Sequence, residues 1–221
     1  MAANAKTAAG SAPRTPPLEA GTYPARLVQV IDLGVQEQRP YQGQEKPPAQ
    51  EISLTYELLD EFLLDEDGQE QLDKPRWVSE RFVLHNLASE KAKSTKRYTA
   101  LDPEELADGD FFALVNTPVN VTIVQNPGKE GRIYNNVAGI SPMRSKDAER
   151  APALVNEPRV FDLDAPDMAV FEQFPDWIKE VIKSNLNYAG SALQYSLVDG
   201  STSDEPDGDD AQGPEDNDNP F

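Results

Sequence analysis

The residues between Lys74 and Tyr98 carry the clearest chemical signal in the sequence. Seven lysine and arginine side chains lie in this stretch against two glutamates, with Trp77, Phe82 and Tyr98 interleaved among them. Cations can follow the phosphates of a nucleic acid strand while aromatic rings stack on its bases, at about 1–3 kcal/mol per base. The composition therefore favours binding of single-stranded nucleic acid. The alternative is that Trp77 belongs to the core and the lysines form the solvated face of a helix.

Alternation within residues 75–84 indicates which of these side chains a strand presents to solvent. Successive side chains of a strand point to opposite faces. We therefore expect Trp77 and Arg81 to point outward, and the core to receive the alternating apolar residues Val78, Phe82 and Leu84.

Five segments have the composition and alternation of strands, and they define the elements that must position these residues. The strongest pattern is at residues 51–59, and the other four strands are predicted at 22–33, 75–84, 119–124 and 132–140. A helix is predicted over 89–98, with a second helix start at Asp102-Pro103-Glu104. A mainly β fold with helical material between strands 3 and 4 is typical of the five-stranded oligonucleotide-binding (OB) barrel.

Two further groups of basic and aromatic residues lie where such a barrel binds its ligand. Residues 34–49 read as a loop by composition, and the last hairpin follows the turn at residues 126–131. In this fold the first and last loops and strands 2 and 3 form the ligand face. We expect phosphate contacts and base stacking there, without base-edge readout, from Arg39, Tyr41, Lys46, Arg76, Trp77, Arg81, Lys93, Lys129, Arg132 and Tyr134.

Constellations that would indicate an enzyme or a metal site are scarce. The chain has no cysteine, and its one histidine, His85, has no second histidine at metal-ligand spacing. The acidic run at residues 65–67 lacks the spacing of a calcium loop, and neither a phosphate-binding glycine loop nor a nucleophile elbow is present. We therefore expect no enzymatic activity, no cofactor and no metal.

The C-terminal end is strongly acidic and closes on an aromatic residue. The whole chain has a formal charge of −19, and nine acidic side chains with no basic one lie between Asp199 and the terminus. Such a segment repels itself and buries little, so we expect it to be solvated. A terminal phenylalanine is typical of a docking peptide, although a solvated tail with an incidental phenylalanine is the alternative. The residues predicted to meet a partner are Asp209, Asp210, Asp216, Asp218, Pro220 and Phe221.

These patterns divide the chain into four parts. Residues 1–17 are predicted to be a flexible arm, 18–142 the nucleic-acid-binding domain, and 199–221 the acidic tail. Residues 143–198 are predicted to be an extended and helical extension that packs on the barrel. Its apolar stripe on a helical region interrupted at Pro175 consists of Trp177, Ile178, Val181, Ile182 and Leu186.

The chain resembles bacteriophage-type single-stranded DNA-binding proteins. The resemblance lies in the order of elements from Gly21 to Pro142, in the run GRIYNNVAGISP at the last strand, and in the acidic tail that ends in NPF. It implies an oligonucleotide-binding fold that coats single-stranded DNA during replication or recombination. It also implies that the tail recruits phage or host replication and recombination proteins. The proline-rich first loop and the C-terminal helical extension depart from the bacterial housekeeping type, so we expect a monomer or homodimer rather than a tetramer.

Location and alternatives follow from the same composition. No stretch is apolar enough to span a membrane, the N-terminus lacks the apolar core of a signal peptide, and the absence of cysteine fits a reducing compartment. We therefore expect the protein in the cytoplasm of an infected bacterial host. The alternatives are an acidic phage structural or assembly adaptor that touches no DNA, and a DNA mimic that inhibits a host protein.

Overall fold

A computed structural model of the chain describes residues 15–128 and 132–201. The predicted arm at 1–17 therefore lies outside the described residues except for its last three. The elements, in chain order, are β1 (Gly21–Tyr41), β2 (Gln44–Leu64), β3 (Glu70–Val83), α1 (Lys93–Leu101), β4 (Pro118–Pro127), β5 (Ile133–Pro142), α2 (Ser145–Ala148), β6 (Arg159–Phe161), α3 (Met168–Glu172), α4 (Asp176–Lys183) and α5 (Ala192–Ser201). The mainly β class, the helix between the third and fourth strands and the C-terminal helices are confirmed.

One six-stranded sheet contains all the strands, but it does not close into a barrel. Its order is β3-β2-β1-β4-β5, and β6 pairs in parallel with β1 at residues 29–31. The first half of β1 is shared, since Ala25 pairs with Leu58 of β2 and with Val119 of β4. The edges β3 and β5 approach to within 8 Å between Cα atoms, yet no hydrogen-bonded ladder joins them in the described ranges. The expected five-stranded barrel is therefore not confirmed.

The main core lies on one side of the sheet and follows from period-two alternation. The apolar residues of β2, at positions 52, 54, 56 and 58, are all buried, and they meet alternate residues of β1 and β4. Rings from β3, α1 and the following loop cover them, with Tyr98 and Phe111 edge to face at 5.3 Å between centroids. Side chains seal this side of the sheet, and the opposite side carries the predicted cationic and aromatic residues of β3 and a second apolar cluster on β1.

The region around Asp102 corrects one prediction. No helix starts there; α1 begins at Lys93, later than predicted, and Asp102 is its C-cap. The Asp102 carboxylate accepts hydrogen bonds from the backbone N–H groups of Leu106 (2.9 Å) and Ala107 (2.8 Å) and from the Tyr98 hydroxyl (2.9 Å). An aspartate that satisfies such donors favours a turn as readily as a helix start. These bonds also hold the pKa of the Asp102 carboxyl below its ordinary value.

Residues 34–49 are not a loop, which corrects a second prediction. They are the outer parts of β1 and β2, which continue as a two-stranded ribbon to a two-residue turn at Gln42 and Gly43. Both turn residues have positive φ, 51° and 77°, as the tight turn of a twisted hairpin requires. The sequence pattern did not predict these strands because the ribbon is rich in polar residues and proline, and neither of its faces needs to be apolar. Its prolines are Pro40 on β1 and Pro47 and Pro48, which lie at a shift in the β1–β2 register.

The C-terminal extension packs on the second half of β1 and builds its own apolar cluster there. Ile31 and Leu33 of β1 meet Phe161 of β6 and buried residues of the C-terminal helices. On α4, Ile178 and Ile182 are buried as the predicted stripe requires, whereas Trp177 and the following Leu186 are exposed. Part of the predicted stripe is thus buried against the sheet. Across the ranges that the structure describes, no helix has both the length and the apolar character needed to traverse a membrane.

Candidate nucleic-acid interface

The two faces of β3 separate as the alternation predicts. Val78, Glu80 and Phe82 are buried on the inner side, while Trp77 and Arg81 point outward. The indole of Trp77 is 39% exposed, so it is not a core side chain. An exposed ring and a cation four residues apart thus lie on one face of one strand.

Three of the predicted cations meet at a single concavity of about 520 Å³. Arg39 and Lys46 reach it from the two strands of the ribbon, and Arg81 reaches it from β3. Two carboxylates, Glu37 and Glu51, also line it, so three positive charges face two negative ones. The concavity is cationic in a chain whose overall charge is −19.

Glu51 and Arg81 form the closest ion pair of this concavity. The Arg81 Nε–H group donates to Glu51 Oε2, and the amide of Gln38 donates to the other carboxylate oxygen at 2.7 Å. The Glu51 side chain is only 11% exposed, whereas that of Arg81 is 38% exposed. The carboxylate is therefore fixed from both sides, while the guanidinium reaches solvent.

Tyr41 lies at the end of the ribbon, beside this group. Its ring is 60% exposed, and the ammonium group of Lys46 lies 4.9 Å from the ring centroid. A cation above an aromatic face is attractive by about 0.5–1 kcal/mol at an exposed site. The pair places an exposed aromatic ring and a positive charge next to each other.

Trp77 is held by a buried carboxylate. Its indole N–H group donates to Glu57 Oε2 at 3.1 Å, and Glu57 also accepts from the Val155 backbone N–H and the Asn156 amide, both at 2.7 Å. Beside it, Arg26 donates to the carbonyl oxygen of Pro152 at 2.8 Å. These hydrogen bonds hold residues 151–156 against the outward side of β1 and β2. The orientation of the Trp77 ring is fixed by these contacts.

Two of the predicted residues lie elsewhere. The guanidinium of Arg76 is 3.9 Å from the Glu61 carboxylate and donates to the carbonyl oxygen of Pro16 at 2.9 Å, and partial burial lowers its pKa. Lys93 is on the inner side, where its ammonium group is 2.9 Å from Glu80 and 5.4 Å from the centre of the Phe82 ring. Neither residue lines the concavity.

The remaining predicted residues lie on the last hairpin or beyond the described ranges. Arg132 and Tyr134 are exposed where β5 begins, and Tyr134 pairs with Asn126 of β4. No described contact joins them to the concavity. Lys129 and the six tail residues Asp209, Asp210, Asp216, Asp218, Pro220 and Phe221 lie outside the described residues.

Sequence reasoning missed the carboxylates that hold the site together. Glu51 and Glu57 are both buried, although strand alternation places them on the outward face. Their pairing with Val83 and Trp77 of β3 puts each beside a predicted ligand residue. One sequence signal could have predicted their role. Glutamates occupy alternate positions of the predicted strand at 51–59, which lies next to the predicted strand at 75–84 with its cationic and aromatic residues.

Neither a metal site nor a known relative indicates what the described residues do. Within residues 15–128 and 132–201, no group of three or more histidine, aspartate or glutamate side chains is placed to hold a metal ion. Comparison with protein-family models, with curated proteins and with solved structures found no match for the chain. Function must therefore be inferred from the arrangement of the side chains.

Proposed function

We propose that this protein binds single-stranded DNA without reading its sequence. The observation that carries the proposal is the convergence of Arg39, Lys46 and Arg81 on one concavity, with the exposed ring of Tyr41 beside it. Trp77 extends the same surface along the outward face of β3. A cationic groove with aromatic platforms is the combination that single strands require.

The strand order supports an oligonucleotide-binding fold. In the OB-fold, a partly open five-stranded barrel, ligands bind across strands 2 and 3 and between the first and last loops. Here the order β3-β2-β1-β4-β5, the close approach of β3 to β5 and the position of α1 fit that plan. The ribbon would be the first of the two binding loops, and the hairpin with Arg132 and Tyr134 the second.

Binding in this mode is electrostatic and stacking in character. Phosphates contact the three cations of the concavity, while bases stack on Tyr41, Trp77 or Tyr134. Each phosphate that a cation neutralises on a single strand contributes about −0.7 to the slope of log K against log salt, so three contacts give about −2. Affinity therefore falls steeply with ionic strength and depends little on base sequence.

A fluorescence titration tests this proposal directly. The chain has two tryptophans, Trp77 and the exposed Trp177 of α4, so the variant Trp177→Phe leaves Trp77 as the only reporter. Added oligo-dT should quench this fluorescence at low salt and less so at high salt. If no oligonucleotide quenches it or binds by an independent assay, the proposal is wrong. An assembly adaptor or a DNA mimic would then explain the acidity better.

We extend the proposal to the biological setting that the sequence suggests. The protein would protect single-stranded DNA in phage replication or recombination, and its acidic tail would recruit replication proteins.

A tethered polyanion has a high effective concentration near the concavity, so the tail would also compete with DNA. Removing residues 199–221 should tighten binding at low salt, and the difference should shrink at high salt because exposed charges are screened there. Unchanged or weaker binding at low salt would contradict the competition.

A further inference from the structure

The concavity contains a carboxylate that a simple phosphate-binding surface would not have. Glu51 lies beside Arg81 with its side chain 11% exposed, and its negative charge opposes any phosphate that approaches. Ion pairs with an exposed partner contribute about 0–1 kcal/mol to stability, so stability alone is a weak reason for a carboxylate here. The geometry of the pair gives a more specific reason.

The guanidinium of Arg81 is held at one position only. Among the described residues, its single hydrogen bond runs from Nε to Glu51, which leaves the two terminal nitrogens without a hydrogen-bond partner. These nitrogens form the planar fork that binds two phosphate oxygens at once. Gln38 fixes the other oxygen of Glu51 at 2.7 Å, so the carboxylate cannot turn freely.

We propose that Glu51 is a positioning residue that orients Arg81 for the phosphates of a single strand. This inference rests on the proposed function. Glu51 anchors the Nε side of the guanidinium, and Arg81 can then present its terminal nitrogens to the concavity without first losing side-chain freedom. Pre-organisation of this kind raises affinity because ordering a flexible side chain on binding is unfavourable.

Glu37 provides a matched control within the same concavity. It is exposed, and its side chain forms no hydrogen bond or ion pair with another described residue. Glu37→Gln and Glu51→Gln remove the same charge from the same surface. A purely electrostatic effect would therefore tighten DNA binding in both variants.

Positioning predicts opposite signs for the two substitutions. Glu37→Gln should tighten oligo-dT binding by about twofold at low salt, because one repulsion with the phosphates is lost. Glu51→Gln should weaken it by about twofold to tenfold despite the lost repulsion, because Arg81 is released. In an Arg81→Lys background, which keeps the charge but removes the fork, Glu51→Gln should no longer weaken binding.

The outcomes separate this inference from the function on which it rests. If the wild-type protein binds oligo-dT and Glu51→Gln tightens binding as much as Glu37→Gln does, positioning is wrong and DNA binding stands. If the wild-type protein does not bind, the proposed function itself fails. Should Glu51→Gln lower the thermal midpoint enough to obscure the result, Arg81→Lys alone decides. It should weaken binding while the salt slope stays the same, and unchanged affinity would overturn the inference.

Discussion

Each face of β3 carries one member of an arginine–glutamate pair, Glu80 with Arg97 of α1 on the inner face and Arg81 with Glu51 of β2 on the outer face, and the two pairs differ in what they leave free. On the inner face, Glu80 and Arg97 are only 4% and 7% exposed, and the guanidinium binds both carboxylate oxygens, at 2.7 and 3.0 Å. On the outer face, Arg81 is 38% exposed and binds Glu51 through Nε alone. On the inner face, the guanidinium of Arg97 is bound on both sides by Glu80. On the outer face, the terminal nitrogens of Arg81 have no hydrogen-bond partner among the described residues.

Position explains why the inner pair is saturated. Glu80 also accepts from the Tyr56 hydroxyl at 3.0 Å and pairs with Lys93 at 2.9 Å, while Arg97 reaches the carbonyl oxygen of Ala138 on β5 at 3.4 Å. The group thus bridges β3 and β5 where no ladder joins them. A buried polar group is costly unless its partners are complete, which this cluster nearly achieves. The inner pair serves the fold, and the outer pair is available for binding.

The largest effect should come from breaking the inner pair. Arg97→Leu leaves Glu80 buried with fewer partners, and loss of one member of a buried ion pair costs about 3–5 kcal/mol of unfolding free energy. Urea unfolding followed by circular dichroism measures this loss. Replacing both residues, Glu80→Leu with Arg97→Leu, should recover part of it. A loss below about 1 kcal/mol would show that the inner pair resembles a surface one.

An intermediate effect is expected on the outer face, and on binding rather than folding. Trp77→Ala should weaken oligo-dT binding by about 1–3 kcal/mol, the value of one base–aromatic stack. Trp77→Phe keeps a ring but loses the hydrogen bond to Glu57, so it should retain most of the affinity. Fluorescence anisotropy of a labelled oligonucleotide measures both. Equal losses in the two variants would show that the indole N–H, and not the ring face, is what matters.

The smallest effect at neutral pH should come from Tyr56 on the inner face. Tyr56→Phe removes one hydrogen bond to Glu80, a loss of about 1 kcal/mol. Burial, and secondly the Glu80 carboxylate, raise the pKa of Tyr56 well above its ordinary value of 10.0. The folded state therefore holds this proton above pH 10 while the unfolded state releases it, and stability falls as pH rises.

Thermal midpoints measured between pH 8 and pH 11 test the sign of this prediction. The wild-type protein should lose more stability across this range than Tyr56→Phe does. Parallel curves for the two proteins would mean that the Tyr56 hydroxyl titrates normally and is not isolated from water. That result would weaken the contrast between a closed inner face and an open outer one.

The core of the fold was predictable, and its polar margins were not. Residues 51–59 alternate so clearly that one face had to be buried, and the structure buries it. The same strand begins with the mostly polar residues 44–50, where alternation carries no information because neither face needs to be apolar. The prediction of a helix start at Asp102 was wrong for another reason. An aspartate side chain accepts the same backbone hydrogen bonds in a turn as it does at the start of a helix.

The sequence predicted the kinds of residue that form the candidate site, but only some of the individual residues that lie there. Strand alternation placed Trp77 and Arg81 on the outward face. Alternation puts Arg76 on the face opposite Trp77 and Arg81, and a register irregularity between β2 and β3 brings Glu61 near it. Lys93 was assigned to the ligand face on charge alone, whereas α1 turns it toward Glu80. Tertiary packing decided both residues.

The prolines of the ribbon have a consequence for molecules that sit side by side. Among the described residues, no ladder pairs the outer edges of the ribbon, apart from the Leu186 N–H group that donates to the Val35 carbonyl oxygen at 2.9 Å, and such edges ordinarily invite a neighbouring chain to add a strand. Pro40, Pro47 and Pro48 lack the N–H donor that such an added strand needs, and the last two lie at the register shift. Two copies of this chain that meet at their ribbons are therefore less able to join into a shared sheet. The hairpin that carries Arg39, Tyr41 and Lys46 thus also carries prolines of the kind that oppose edge-to-edge pairing.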